Sequence, residues 1–350
     1  MVLQQDAPAV TTMRASSTHA ALGKEPMRRT LLAMPVSMAA CLALLVATVA
    51  TAQDGEPAQT PPPAQFPRVQ TALIMSALAD PAVNEIILTA GRDAHLAIGG
   101  RPRELFTGTL PRPENVAIAS RDLAELEYDI VVITGGDSQV SVGAAGNFAN
   151  SEFFDIGQPL PCVTADGIPD PSATCAGDIA SLPLNYSVTT FAVDQPAYLA
   201  GVIAAAASRE DHIGIIAGQP GCEECERYIE GFSLGARSVK PNVEIELGYL
   251  ADDDIETAFG DAATARIFAE AFINVYRPDV LFAVAGGSSR GMIEAACEAG
   301  ILAVGSDFDV SASYPTLGRC ILTSVTKDLS GAVREAIFSV PNEDSQPEVI

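Results

Sequence analysis

Asp279–Gly291 reads DVLFAVAGGSSRG. Val280 to Ala285 form an unbroken apolar run with no polar alternation. A strand of that kind is covered on both faces, which is the setting of a parallel sheet. Two glycines, two serines and a stretch of helical spacing follow, so the chain turns from strand to helix at one edge of that sheet. The same unit recurs on both sides. Strands are predicted at Val69–Ser76, Tyr128–Thr134, Glu152–Ile156, Asn185–Val193, His212–Ala217, Val243–Tyr249, Leu302–Gly305 and Ile321–Val325. Helices are predicted at Ala82–Ile98, Gln195–Ser208, Glu223–Ser238, Ile255–Tyr276, Ser288–Ala299 and Lys327–Phe338. Such alternation predicts an α/β protein. It is too long for one small doubly wound sheet and lacks the eightfold repeat of a barrel, so two doubly wound parallel-sheet lobes joined by a hinge are expected.

With 350 residues, 48% of them hydrophobic, and a mean hydropathy of +0.23, the chain can fill two lobes of ordinary size. The formal net charge is −24, which repels nucleic-acid phosphates and anionic headgroups and excludes nucleic acid as a partner. Met27-Arg28-Arg29, the apolar run Thr30–Val49 and the A-x-A site Ala50-Thr51-Ala52 form a secretory signal pattern. Residues 1–26 then read as an extension or a mis-called start, 27–52 as the signal peptide and 53–67 as a Pro-rich linker. Lobe one is placed at 68–192 plus about 306–326, lobe two at 193–305 plus about 327–340, and a tail at 341–350. An alternative lipoprotein box, Met38-Ala39-Ala40-Cys41, would anchor the chain by Cys41. Either way the product is exported, to the periplasm or the outer face of the cell membrane.

Without Cys41 the cysteines are Cys162, Cys175, Cys222, Cys225, Cys297 and Cys320. Their even number suits disulfides in an oxidising compartment. Sequential pairing is the simplest of 15 arrangements.

Gly287-Ser288-Ser289-Arg290-Gly291 fits the G-x-S-x-G elbow of a hydrolase. That chemistry needs a downstream His, yet His19, His95 and His212 all lie upstream, so the usual triad order is excluded. A secreted enzyme using Ser289 or Cys222 remains the reading from another class. Cys222-Glu223-Glu224-Cys225 has redox spacing, but its two glutamates disfavour a thiolate, and a structural pair is the plainer reading. Asp252-Asp253-Asp254 lacks the spaced loop of a calcium site, and no metal or cofactor is implied. Asp80, Asp137, Asp155, Ser288, Asp307 and Asp309 stand where strands end. Singly, each suits a turn or helix cap. Facing one cleft, they would suit a hydroxyl-rich ligand.

The motifs DQPAYLAGV from Asp194, then HIGIIAGQP, YIEGFSLGA, KPNVEIELGY, PDVLFAVAGGSSRG, VGSDFD and ILTSVTKDL resemble the basic membrane protein (Bmp) family. Its members are substrate-binding proteins of ABC transporters, similar to purine-nucleoside-binding lipoproteins. The resemblance spans about Val69–Phe338 and is strong from Asn185 onward. It implies a type I periplasmic-binding-protein fold with three crossovers, a purine nucleoside held between the lobes, and an ABC permease as partner. The family's D-x-S-F-N motif falls on Asp80–Asn84, with Val83 in the aromatic position. Its glycine loop falls on Gly286-Gly287-Ser288, its G-V-D-x-D-Q motif on Gly305–Val310, with Asp307 and Asp309 retained, and its T-S-x-x-K lysine on Lys327. Asp137 and Asp155 complete the expected ligand set, with Phe106, Phe148 or Phe191 stacking on the base. A sugar or other small ligand, or a receptor that signals to a membrane sensor, are the neighbouring readings.

Overall fold

The computed structural model describes residues 2–3, 10–14, 69–163 and 182–340. The signal peptide, Cys41, the linker, Cys175 and the 341–350 tail lie outside those residues. The chain builds two parallel sheets one after the other.

The first contains β3 (Thr71–Ser76), β4 (Leu105–Leu110), β5 (Ile130–Thr134), β6 (Glu152–Ile156) and β7 (Tyr186–Phe191), in the order β4-β3-β5-β6-β7. Every residue of β3 and β5 is buried, as expected of strands covered on both faces. Between them run α1 (Pro81–Ala97), α2 (Pro113–Glu125) and α3 (Ser138–Asn147). Helix α1 starts where Asp80 accepts a hydrogen bond from the Ala82 N–H (2.8 Å) and Pro81 fixes the first turn. Its Val83, Ile87, Ala90 and Ala94 face the core.

After β7 the chain enters α4 (Asp194–Ala207) and the second sheet. Its strands are β8 (His212–Ala217), β9 (Glu244–Tyr249), β10 (Val280–Val284), β11 (Leu302–Asp307) and β12 (Ile321–Thr326), in the order β9-β8-β10-β11-β12. The intervening helices are α5 (Glu223–Val239), α6 (Ile255–Gly260), α7 (Ala262–Tyr276), α8 (Ser289–Ala299) and the short α9 (Val310–Ser313). Helix α10 (Leu329–Phe338) follows β12.

The structure corrects the expected layout at three places. β12 pairs with β11 in the second sheet, whereas α10 packs on α1 and against β5 and β6. The C-terminal segments therefore sit in the reverse of the expected order, 306–326 with lobe two and 329–338 with lobe one. An apolar helix face carries no label for which lobe it covers. The single helix expected over Ile255–Tyr276 is broken at Asp261, which caps α7 by accepting from the N–H groups of Ala263 (3.1 Å) and Thr264 (2.9 Å). Finally, two pieces of the segment set outside the fold add edge strands. β1 (Val2–Leu3) runs parallel to β12, and β2 (Val10–Arg14) runs antiparallel to β7. An open sheet edge presents main-chain groups that accept an extended segment with little demand on its side chains.

Helices α4 and α5 pack unusually closely. A Cβ on Gly201 would stand 2.0 Å from the Phe232 carbonyl oxygen, and one on Gly235 would stand 1.9 Å from that of Tyr198. The two helices must separate to admit even one methyl. Gly235→Ala is expected to lower stability by about 1–3 kcal/mol, the usual cost of overpacking, measured by urea denaturation. A fully retained midpoint would contradict this packing.

Candidate functional site

In open parallel α/β sheets, ligands bind beyond the C-terminal ends of the strands. Here those ends bring together residues from both sheets. Asp307 closes β11 with φ +72°, a backbone conformation uncommon for a non-glycine residue. Its Oδ1 lies 2.9 Å from Lys327 Nζ, just past β12, and accepts a hydrogen bond from the Tyr228 hydroxyl at 2.9 Å. Lys327 Nζ also donates to Glu224 at 2.6 Å, on the first turn of α5. Phe191, at the end of β7 in the first sheet, lies 5.8 Å from that ammonium, as does the Tyr228 ring.

The Lys327 side chain is only 9% exposed. Burial alone would lower its pKa, but Asp307 and Glu224 outweigh burial and hold it above the ordinary lysine value. Glu224 is pushed up by burial and by Asp307, against the pull of Lys327. Tyr228 is raised by burial and by the same two carboxylates, so its hydroxyl stays a donor.

A second group spans the two lobes. The Tyr314 hydroxyl donates to Asp80 Oδ1 at 2.6 Å. Burial and Asp80 push Tyr314 up to about 12. Arg290 lies over the Tyr314 ring at 4.7 Å, and Phe308 meets that ring edge-on at 6.1 Å. The cavity between them, about 10 Å³ in volume, suits a single water. A larger ligand requires Asp80 and Tyr314 to part. Asn84 donates to the Ser76 carbonyl at 3.0 Å, while its buried Oδ1 has no protein partner.

Other expected site residues are engaged elsewhere. The Gly287 N–H donates to the Leu78 carbonyl at 2.9 Å. A Cβ on Gly286 would stand 3.0 Å from that same oxygen. The glycine loop is thus a contact between lobes. Ser288 is fully buried, donating to the Thr257 carbonyl (3.1 Å) and accepting from the Asp261 N–H (2.9 Å). Asp309 caps α9, and the exposed Asp137 caps α3. Asp155 lies wholly within the first lobe, accepting from Tyr186 (2.6 Å) and Ser141 (3.3 Å). Phe148 packs beside that core, and Phe106 pairs with Tyr128 on the edge strand. Of the three aromatic candidates, Phe191 is the one placed beside Lys327.

The nucleophile candidates are also engaged. Ser289 Oγ accepts from the Ala285 N–H at 2.8 Å. His95 is buried against Thr71 and the Arg101 carbonyl, both at 2.9 Å, and His212 opens β8 at the end away from the site. Cys222 and Cys225 stand with Cα atoms 5.2 Å apart, and Cys297 and Cys320 5.3 Å apart, both within bridging reach. Among the described residues no metal-ligating cluster occurs, and no helix is long and apolar enough to cross a membrane.

Glu224, Tyr228, Phe308, Arg290 and Tyr314 escape the sequence reading. Glu224 and Tyr228 are spaced i, i+4 on α5, which places them on one helix face. That spacing was the available signal.

Two parallel-sheet lobes with a polar cluster at their facing strand ends define a type I solute-binding fold. A solute-binding protein from Aeropyrum pernix K1 shares it with a TM-score of 0.61 at 18% identity, over 77% of this chain and 70% of that one. A periplasmic solute-binding protein of Actinobacillus succinogenes 130z, solved with D-allose, superposes with a TM-score of 0.55 at 16% identity, over 79% of this chain and 94% of that one. Residues 119–345 match the Bmp family model, described as ABC transporter substrate-binding protein PnrA-like, and the chain belongs to that family. The nucleoside-binding protein BmpA of Lactococcus lactis is 34% identical over 112 residues, 32% of this chain and 30% of BmpA. Basic membrane protein D of Borreliella burgdorferi is 32% identical over 152 residues, 43% of this chain and 42% of that protein. The chain thus spans less than half the length of these curated relatives.

Burial raises Asp155 to about 7, with its hydrogen bonds from Tyr186 and Ser141 opposing the rise. The folded state therefore binds a proton that the unfolded chain releases near pH 4. Asp155 favours the fold below that pH, and its contribution is lost as pH climbs through 7. Between pH 5 and 8 the wild type should lose about 2–3 kcal/mol relative to Asp155→Asn, read from paired denaturation curves. Parallel pH profiles would contradict this placement.

Proposed function

We propose that this chain is an exported receptor that captures a purine nucleoside between its lobes and presents it to an ABC permease, without altering it. The observation that carries this reading is the Lys327–Asp307–Tyr228 cluster opposite Phe191. A carboxylate that accepts and an ammonium that donates can clamp the two hydroxyls of a ribose, while a nearby ring offers a face to a base. Asn84 Oδ1 supplies an acceptor for a base amino group or ring N–H. Asp80 joins the ligand once Tyr314 releases it. Family membership and the nucleoside-binding role of the Lactococcus relative support this assignment.

Ligand contacts both lobes at once only when they are closed, so binding would stabilise the closed form. Export implies an oxidising compartment, in which Cys222–Cys225 and Cys297–Cys320 would form disulfides.

Adenosine, guanosine or inosine is expected to raise the melting temperature of the mature protein. At a hundredfold excess over Kd, the stabilisation is about 2.7 kcal/mol. Asp307→Ala should remove the ligand-dependent rise. The absence of any rise with all three nucleosides at millimolar concentration would refute the nucleoside assignment.

A further inference from the structure

The cluster around Lys327 has more negative than positive charge. Its cations are Lys327, held by Asp307 (2.9 Å) and Glu224 (2.6 Å), and Arg227, held by Asp194 (2.9 Å). Three carboxylates therefore face two cations. A helix N-terminus beside a lysine is ordinarily a ready anion site. Here the first turn of α5 carries Glu223, Glu224 and Glu226, and Glu226 accepts from the Gly221 N–H at 3.2 Å. Glu224 thus already holds Lys327 at the start of α5, with its carboxylate 2.6 Å from the ammonium.

We infer that Glu224 is a specificity-determining residue that excludes anionic ligands, so that the site takes neutral, unphosphorylated molecules. This rests on the capture reading for its ligand but not for its electrostatics. A phosphate approaching Lys327 must displace Glu224 or stand beside it, and like charges a few ångströms apart repel. A neutral ribose needs neither: its hydroxyls can donate to Glu224 and Asp307 and accept from Lys327.

The test compares the wild type, Glu224→Gln and Glu224→Gln/Lys327→Met, all checked for folding by circular dichroism. In the first arm, inorganic phosphate is titrated at constant ionic strength and melting is followed. Phosphate should stabilise Glu224→Gln, leave the wild type unmoved, and lose its effect in the double variant. In the second arm, calorimetry compares guanosine with guanosine 3′-monophosphate, whose phosphate replaces one of the two hydroxyls that Lys327 and Asp307 would clamp. The wild type should prefer the nucleoside, and Glu224→Gln should narrow that preference by about tenfold or more, the order expected for removing one nearby charge. Equal phosphate responses in wild type and Glu224→Gln, or an unchanged preference, would overturn the inference. If phosphate discriminates as stated but no nucleoside binds the wild type, the nucleoside assignment falls and the role of Glu224 stands. Should Glu224→Gln fail to fold, Glu224→Ser is read in the same way.

Discussion

The site depends on one buried ammonium. Lys327 is nearly enclosed, and an unpaired charge there would cost several kcal/mol. It is tolerable only because Asp307 from β11 and Glu224 from α5 reach it together. That requirement ties the ends of two strands and the start of a helix to one point. The Asp307 carbonyl in turn accepts a hydrogen bond from the Lys327 N–H at 3.0 Å. Main chain and side chains of the two residues are locked as one unit, with the Tyr228 hydroxyl as the third member.

Much of the fold is legible in the sequence because parallel strands covered on both faces are written as continuous apolar runs. β5, β8 and β10 fall where such runs fall. β4, LFTGTL, does not stand out, because it is an edge strand whose partly exposed residues include Thr and Gly. α2 mixes apolar and polar residues and starts at a proline without a side-chain cap, so its buried face is not marked and its start carries one signal where α1 has two. The break between α6 and α7 is signalled by Gly260-Asp261, a stop followed by a cap, but the apolar spacing on either side masks it.

The site was legible to a different degree. Asp307 and Lys327 emerge from motif resemblance, and the structure places them in contact. Asp80 reaches across to Tyr314, while Asn84 is held to the Ser76 carbonyl of its own lobe. Asp155, Asp137, Asp309 and Ser288 stand at strand ends, as a binding set would, yet serve as caps or interior partners. A one-dimensional pattern marks the end of a strand but not which way its side chain turns. Glu224 escaped notice for the opposite reason: its neighbours, Cys222 and Cys225, supplied a sufficient local explanation of the motif.

The contact between Leu78 and the Gly286–Gly287 loop is made by main-chain atoms on both sides. The identity of the side chain at position 78 does not enter the hydrogen bond, and the glycines contribute none. This part of the seam is therefore indifferent to side-chain identity, unlike the Asp80–Tyr314 bridge beside it, which is made by side chains. Pocket side chains can be exchanged without touching this hydrogen bond, since neither of its partners is a side-chain atom. The glycines at 286 and 287 are the positions where that freedom ends.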